Sequence, residues 1–178
     1  MKKTAQQGYA EAQYNLGVSY DSGTGVPQNY SKAVMWYTKA AQQGLVVSQI
    51  NLGGHYFKGQ GVQQNYATAA YWVTKAAQQG SAKAQYMIGL LYASGKGVKQ
   101  NNSTAYKWFE LAKATSAPES DDYTGASRLM QELASKMTPA EINKAQQEAS
   151  NWFEQYQKKS NAEAPTAVSQ LTPPSDYY

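Results

Sequence analysis

His55 is the single histidine in a chain of 178 residues that has no cysteine. A metal site or a nucleophilic triad built on it needs carboxylates close by, because such chemistry depends on several groups placed together. Between Asp21 and Glu110 the sequence holds no carboxylate at all. Any such site must therefore recruit Asp21, Glu110 or the acids of the C-terminal third. On these grounds His55 is expected to be a partly exposed surface residue or a partner contact, and no catalytic, metal or cofactor site is expected. Gly-x-Gly pairs occur at 23 and 25, 59 and 61, and 95 and 97. They lack the preceding strand, the further glycine and the Gly-Lys-Ser/Thr step of phosphate-cradling loops. Turn formation, where glycine supplies positive φ without steric cost, accounts for them.

The charge distribution bears on partners. Residues 1–115 carry 11 lysines against Glu11, Asp21 and Glu110, a balance of +8, whereas residues 116–178 carry 5 basic and 9 acidic groups, a balance of −4. A cationic stretch rich in tyrosine is a footprint of nucleic-acid binding. Here, however, the excess is all lysine, and the sole arginine, Arg128, lies in the acidic part. Bidentate base and phosphate contacts favour arginine, so nucleic acid is a disfavoured alternative. No apolar run approaches the 18 residues of a membrane span. Met1-Lys2-Lys3 is followed by polar residues rather than the apolar core of a secretory signal. The compartment is left as periplasmic or secreted if a signal has been removed, and otherwise cytoplasmic.

The elements that position these residues follow from a repeat. The heptad TKAAQQG occurs at 38–44 and again at 74–80, with KTAQQG at 3–8. Aligned at a period of 36, the chain restarts at Gly8, Gly44 and Gly80, the mark of stacked supersecondary units. Gly17, Gly53 and Gly89 fall inside a helical pattern, where glycine is disfavoured by about 1 kcal/mol. Close approach of a second helix is the expected compensation. Leu16 with Tyr20, Leu52 with Tyr56 and Ile88 with Tyr92 share one face, which predicts helix A at 10–21, 46–57 and 82–93. The glycine doublets then stop the helix, and Val26, Val62 and Val98 plug the turn. Asn29, Asn65 and Asn101 stand as N-caps of a helix B. The inner face of helix B is read as Ala33-Trp36-Ala40, Ala69-Trp72-Ala76 and Ala105-Trp108-Ala112, with Trp72→Ala expected to cost about 3–5 kcal/mol.

This pattern resembles the Sel-1-like repeat family, a subclass of the tetratricopeptide-like solenoids. The resemblance rests on Ala-x-Tyr-x-Leu-Gly-x-x-Tyr, Gly-x-Gly-Val and Lys-Ala-x-x-Trp-Tyr-x-Lys-Ala-Ala, met well in the first unit and covering residues 8–115. It implies an all-α fold, a right-handed α-solenoid of helix-turn-helix repeats. The expected organisation is the end of a preceding repeat helix at 1–7, repeats at 8–43, 44–79 and 80–115, a C-terminal capping helix pair at 116–159, and a disordered tail at 160–178. The tail is alternatively a docking segment using Leu171, Tyr177 and Tyr178. Thr138-Pro139-Ala140-Glu141 reads as a capping box at the start of the last helix.

The resemblance further implies that helix A lines a concave groove which recognises a protein or peptide, and that the chain is a bacterial adaptor in an envelope, virulence or toxin-inhibiting role. Binding positions are those that vary between units: Glu11, Asn15, Val18, Ser22, Asn51, His55, Phe57, Lys58, Lys83 and Met87. The bound protein or peptide is expected to be acidic, with lysines such as Lys58 and Lys83 raising the encounter rate. Two other readings stand beside it. One is an accessory enzyme subunit or hydrolase using Glu119, Asp121 or Asp122. The other is self-association of the acidic C-terminal helices with the basic repeats, between copies or folded back on the chain's own groove.

Overall fold

The computed structural model describes residue 5 and residues 7–163. The readings that rest on the remainder of 1–7 and on residues 164–178 lie outside the described residues. Among the described residues eight helices from Ala10 onward follow one another: α1 Ala10–Ser22, α2 Tyr30–Gln42, α3 Val46–Lys58, α4 Tyr66–Gln78, α5 Ala82–Ser94, α6 Asn102–Thr115, α7 Asp121–Ala134 and α8 Pro139–Glu163. Among the described residues there is no strand. Each helix packs chiefly on its chain neighbours from α1 through α6, which gives an α-solenoid of three helical hairpins. None of these helices is long and apolar enough to cross a membrane.

Local chemistry explains the boundaries. The Asn29, Asn65 and Asn101 side chains each accept from the backbone N–H three residues on, at 2.9 Å, which satisfies one orphan donor at the start of α2, α4 and α6. At the other end of α3, Gly59 takes φ +71° and closes the helix through its N–H to the His55 carbonyl. Gly61, with φ +73°, lies so close to the Tyr30 backbone of the preceding hairpin that a Cβ there would clash. The doublet therefore both ends one helix and seats the turn against the previous unit. Thr138 and Glu141 exchange the reciprocal bonds of a capping box, 2.7 and 3.3 Å long, at the start of α8.

The compensation for the helical glycines is visible. A Cβ on Gly17 would lie 2.7 Å from the Tyr37 ring, one on Gly53 2.7 Å from Val73 Cγ2, and one on Gly89 2.6 Å from the Phe109 ring. Helix B crosses helix A at the glycine, and the side chain twenty residues later lies across it. A second periodic feature ties the units together. Buried Gln13, Gln49 and Gln85 donate to the Ala5, Ala41 and Ala77 carbonyls at 3.1–3.3 Å. Their own carbonyls accept from Gln43, Gln79 and Thr115 at 2.8–2.9 Å.

The tryptophans are not equivalent. Trp36 and Trp108 are buried, but Trp72 is only partly so. Trp108 is covered by Trp152 of α8, with ring centroids 6.1 Å apart. Trp72 meets the edge of the exposed Tyr71 at 5.1 Å instead. The cost of about 3–5 kcal/mol expected for Trp72→Ala thus belongs to Trp108.

After the repeats, α7 and α8 each pack on α6, so they terminate the core without forming a third-repeat-like hairpin. Helix α8 runs to Glu163, four residues beyond the expected end. It turns back along the helix-B side, where Trp152 stacks on Tyr156 at 5.1 Å. The Tyr156 hydroxyl donates to the Gln79 carbonyl at 2.9 Å, and Glu148 pairs with Lys107 at 4.0 Å. The acidic end therefore meets the basic repeats within one chain, on helix B.

Two neighbouring glycine types should respond oppositely to alanine. Gly89→Ala gains helix propensity of about 1 kcal/mol but overpacks against the Phe109 ring at a cost of about 1–3 kcal/mol, for a net loss. Gly54, around which an added Cβ meets no atom within 4 Å, should gain up to about 1 kcal/mol as Gly54→Ala. Urea denaturation midpoints of the two variants, one lower and one higher than wild type, are the check.

Candidate functional site

Because each helix-B residue opposite the glycine points into the space between two successive A helices, it helps to decide how that space is filled. The same positions, 36 residues apart, build two unlike niches along the helix-A side.

The first niche lies between α1 and α3 and is polar. Tyr37, buried on α2, donates its hydroxyl to Asp21 Oδ2 at 3.2 Å and hydrogen-bonds the Asn51 side chain. Asp21 Oδ1 lies 3.3 Å from His55 Nε2, and His55 Nδ1 lies 2.9 Å from the Gln60 carbonyl. A carbonyl only accepts, so Nδ1 carries a hydrogen. The imidazole is also flanked by the rings of Tyr37 at 5.6 Å and Tyr30 at 5.9 Å. His55 is 5% exposed, so it is not the partly exposed surface residue that the sequence suggested. Its carboxylate partner comes from the preceding unit, across 34 positions of chain. Both ring nitrogens are engaged within the chain. Burial, and next to it the charge of Asp21, raises the Tyr37 pKa above the ordinary tyrosine value, which makes that hydroxyl a poor acid. The cluster fills the niche with satisfied polar groups. Among the described residues, no three His, Asp or Glu side chains come together to hold a metal ion.

The second niche lies between α3 and α5 and is apolar and open. At the four equivalent positions, Tyr37 is replaced by Val73, Asp21 by Phe57, Asn51 by Met87 and His55 by Leu91. These residues, with Gly53 and Leu90, line a cleft of about 300 Å³. Lys96 stands at its rim, with Nζ 5.4 Å from the Phe57 ring centroid and 5.7 Å from that of Tyr66. The position equivalent to Lys96 in the first niche is Gln60, whose carbonyl holds His55. In the third unit, Phe109 restores an aromatic ring and is enclosed by residues of α7, among them Ala126 and Met130.

The ten variable helix-A residues divide accordingly. Asn51 and His55 meet around Tyr37, and Phe57 and Met87 meet in the apolar cleft. Val18 is half-buried against the first core cluster. The Ser22 hydroxyl is taken up locally by the Val18 carbonyl at 2.9 Å and by Thr24 at 2.8 Å. Glu11, Asn15, Lys58 and Lys83 are exposed, and among the described residues Lys58 and Lys83 have no carboxylate within ion-pair distance. Tyr37 and Val73 escape a comparison confined to helix A, because they lie on helix B; the column Tyr37, Val73, Phe109 carries the signal. The lysine and tyrosine richness also has a local use, since six lysines lie over aromatic rings at 4.7–5.7 Å. Glu119, Asp121 and Asp122 cluster at the start of α7, where the helix macrodipole favours carboxylates.

The raised Tyr37 pKa has a definite sign. A hydroxyl that ionises less readily in the folded than in the unfolded chain contributes stability that is complete below the unfolded value of about 10 and lost as pH rises toward the folded one. The wild type should therefore lose stability more steeply than Tyr37→Phe between about pH 9 and pH 11. Urea midpoints measured across that range check this, and parallel curves would contradict it.

Comparison with known proteins agrees with this architecture. The Sel1 repeat model matches residues 10–45, 46–81 and 82–114. No curated protein matches the chain. Among solved structures, the chain is similar to a Sel1 repeat protein from Oxalobacter formigenes, with 34% identity over 74% of this chain and 94% of that one, and a TM-score of 0.64. It is also similar to cysteine rich protein B of Helicobacter pylori, with 28% identity over 69% of this chain and 92% of that one, and a TM-score of 0.53. A protective antigen present in uropathogenic Escherichia coli strains, itself displaying this fold, shares 26% identity over 99% of this chain with a TM-score of 0.55, and this chain spans 44% of it. With three repeat matches covering more than half of its length, the chain belongs to the Sel1 repeat family.

Proposed function

We propose that this protein is a non-enzymatic adaptor that holds an acidic protein or peptide along its helix-A face. Sel1 repeats generally mediate protein–protein interactions. The observation that carries the finer reading is the surface between α3 and α5, an open apolar cleft with Lys96 at its rim, in a stretch of 88 positions from 22 to 109 that holds no carboxylate. Apolar surface supplies affinity on burial, and lysines, Lys96 at the rim with exposed Lys58 and Lys83 on the A helices, favour partners of opposite charge and speed their approach. Within this reading, the likeness to an E. coli protective antigen favours an envelope or host-contact setting over toxin inhibition.

The helix-B side is a poorer candidate for the primary face, because α8 already covers part of it. A photo-crosslinking amino acid placed at Asn15 or Met87 should capture a protein partner in host lysate. The same group at Tyr71, exposed on α4, should capture none of it. Capture should weaken as salt rises, since exposed charges are screened beyond about 8 Å at physiological ionic strength. Crosslinks from Tyr71 alone, or capture that strengthens with salt, would contradict the proposal.

A further inference from the structure

Three columns of the repeat become smaller together in the middle unit. Tyr14 and Tyr86 flank Ile50, Val18 and Leu90 flank Gly54, and Tyr37 and Phe109 flank Val73. In the first and third units, the ring lies across the helix-A glycine and meets a second ring, Tyr14 with Tyr37 at 5.9 Å and Tyr86 with Phe109 at 5.7 Å. In the middle unit both rings are absent, yet the glycine that seats them, Gly53, is kept. Close to where a ring would lie is the cleft of about 300 Å³, roughly twice the 150 Å³ or so of an apolar cavity that takes up benzene.

We propose that this cleft is a specificity pocket that receives one large apolar side chain, aromatic or long aliphatic, from an extended acidic segment of a partner protein. The incoming side chain takes the place of the ring missing from the middle unit. Its walls are Phe57, Val73, Met87, Leu90 and Leu91, with Ser94 at the edge, whose hydroxyl donates to the Leu90 carbonyl at 2.7 Å. Such a wall offers mainly apolar contact, and methionine adapts its shape to different occupants. Charge argues for the flanking chemistry. Lys96 is exposed at the rim, held over Phe57 and Tyr66, and Lys58 is exposed at the end of α3. Neither has a carboxylate within ion-pair distance among the described residues. A carboxylate beside the anchoring side chain would face Lys96 at the rim, in a stretch from 22 to 109 that supplies no carboxylate of its own. A large side chain desolvated in a well-packed pocket is the arrangement in which few residues carry most of the binding energy.

This inference rests on the adaptor reading, and its test separates the two. A displayed library of random 12-residue peptides is selected on the full-length protein. The enriched peptides should share one Phe, Trp, Leu or Met with Asp or Glu close by, and alanine at that residue should weaken binding at least tenfold. Val73→Phe restores the ring of the flanking units over the glycine already placed to seat it. It should leave the helical circular dichroism intact and weaken the selected peptides at least tenfold. Leu90→Glu, at a position already 37% exposed, should do the same and decides the matter if Val73→Phe fails to fold. Peptides that bind both variants as tightly as wild type overturn the pocket. They leave the adaptor reading standing if Lys58→Glu with Lys83→Glu abolishes their binding. Enrichment of basic flanks overturns the pocket's assignment to an acidic partner, and no enrichment at all overturns both readings. A dimer in sedimentation that Val73→Phe dissolves would assign the pocket to a second copy of the chain, which also overturns the proposal.

Discussion

The close approach of helices A and B at Gly17, Gly53 and Gly89 is the constraint on which the rest of this solenoid depends. With no side chain at the crossing, helix B comes near enough for its own residue to lie across helix A and enter the space before the next A helix. Interiors are packed about as densely as organic crystals, so the volume of that one residue is felt directly. A ring at Tyr37 or Phe109 occupies the space. A valine at Val73 leaves much of it empty, and an open cleft lies there. The glycine costs helix propensity in every unit, and the tight crossing offsets it.

A polar constraint works alongside the steric one. Gln13, Gln49 and Gln85 are buried, and each binds a carbonyl eight residues earlier, which for Gln49 and Gln85 lies at the end of the preceding helix B, and a side chain at the end of its own helix B. A buried amide is costly unless its groups are paired, so these bonds favour one register between successive hairpins. The same unit can then be repeated without slippage while the residues between A helices change. Helix α8 closes the stack. It covers Trp108 through Trp152 and anchors on the Gln79 carbonyl through Tyr156. In doing so it spends its apolar stripe on helix B and leaves the cleft between α3 and α5 uncovered.

Much of the architecture is legible in the sequence because each structural device recurs at the same spacing. The Asn caps, the glycine doublets and the paired Leu and Tyr positions mark helix ends to within about a residue, since each depends on a short-range interaction. What was not legible depends on neighbours distant in the chain. His55 reads as a surface residue when α3 is viewed alone, but Asp21 and Tyr37 of the preceding hairpin enclose it. Trp72 reads as core by analogy with Trp36 and Trp108, yet it is only partly buried, whereas Trp152 packs on Trp108. The candidate site was half legible. Comparing helix-A columns brings Phe57 and Met87 forward, whereas Val73 and Lys96, on helix B and in the turn, emerge only when the columns of whole units are compared.

The resulting picture is a ladder whose rungs share their glycine, asparagine and glutamine devices and whose gaps differ: one closed by a tyrosine, aspartate and histidine, the next open and lined mostly by hydrocarbon. The claim at its centre is that this second gap is an accessible apolar cavity because a ring is missing. A crystal structure under xenon pressure tests it most directly, since xenon enters apolar cavities without needing a specific partner. The account predicts a xenon atom among Phe57, Val73 and Leu91, and none beside Tyr37 or Phe109. Equal occupancy of all three gaps, or an empty middle gap with Val73 and Leu91 in contact, would contradict it.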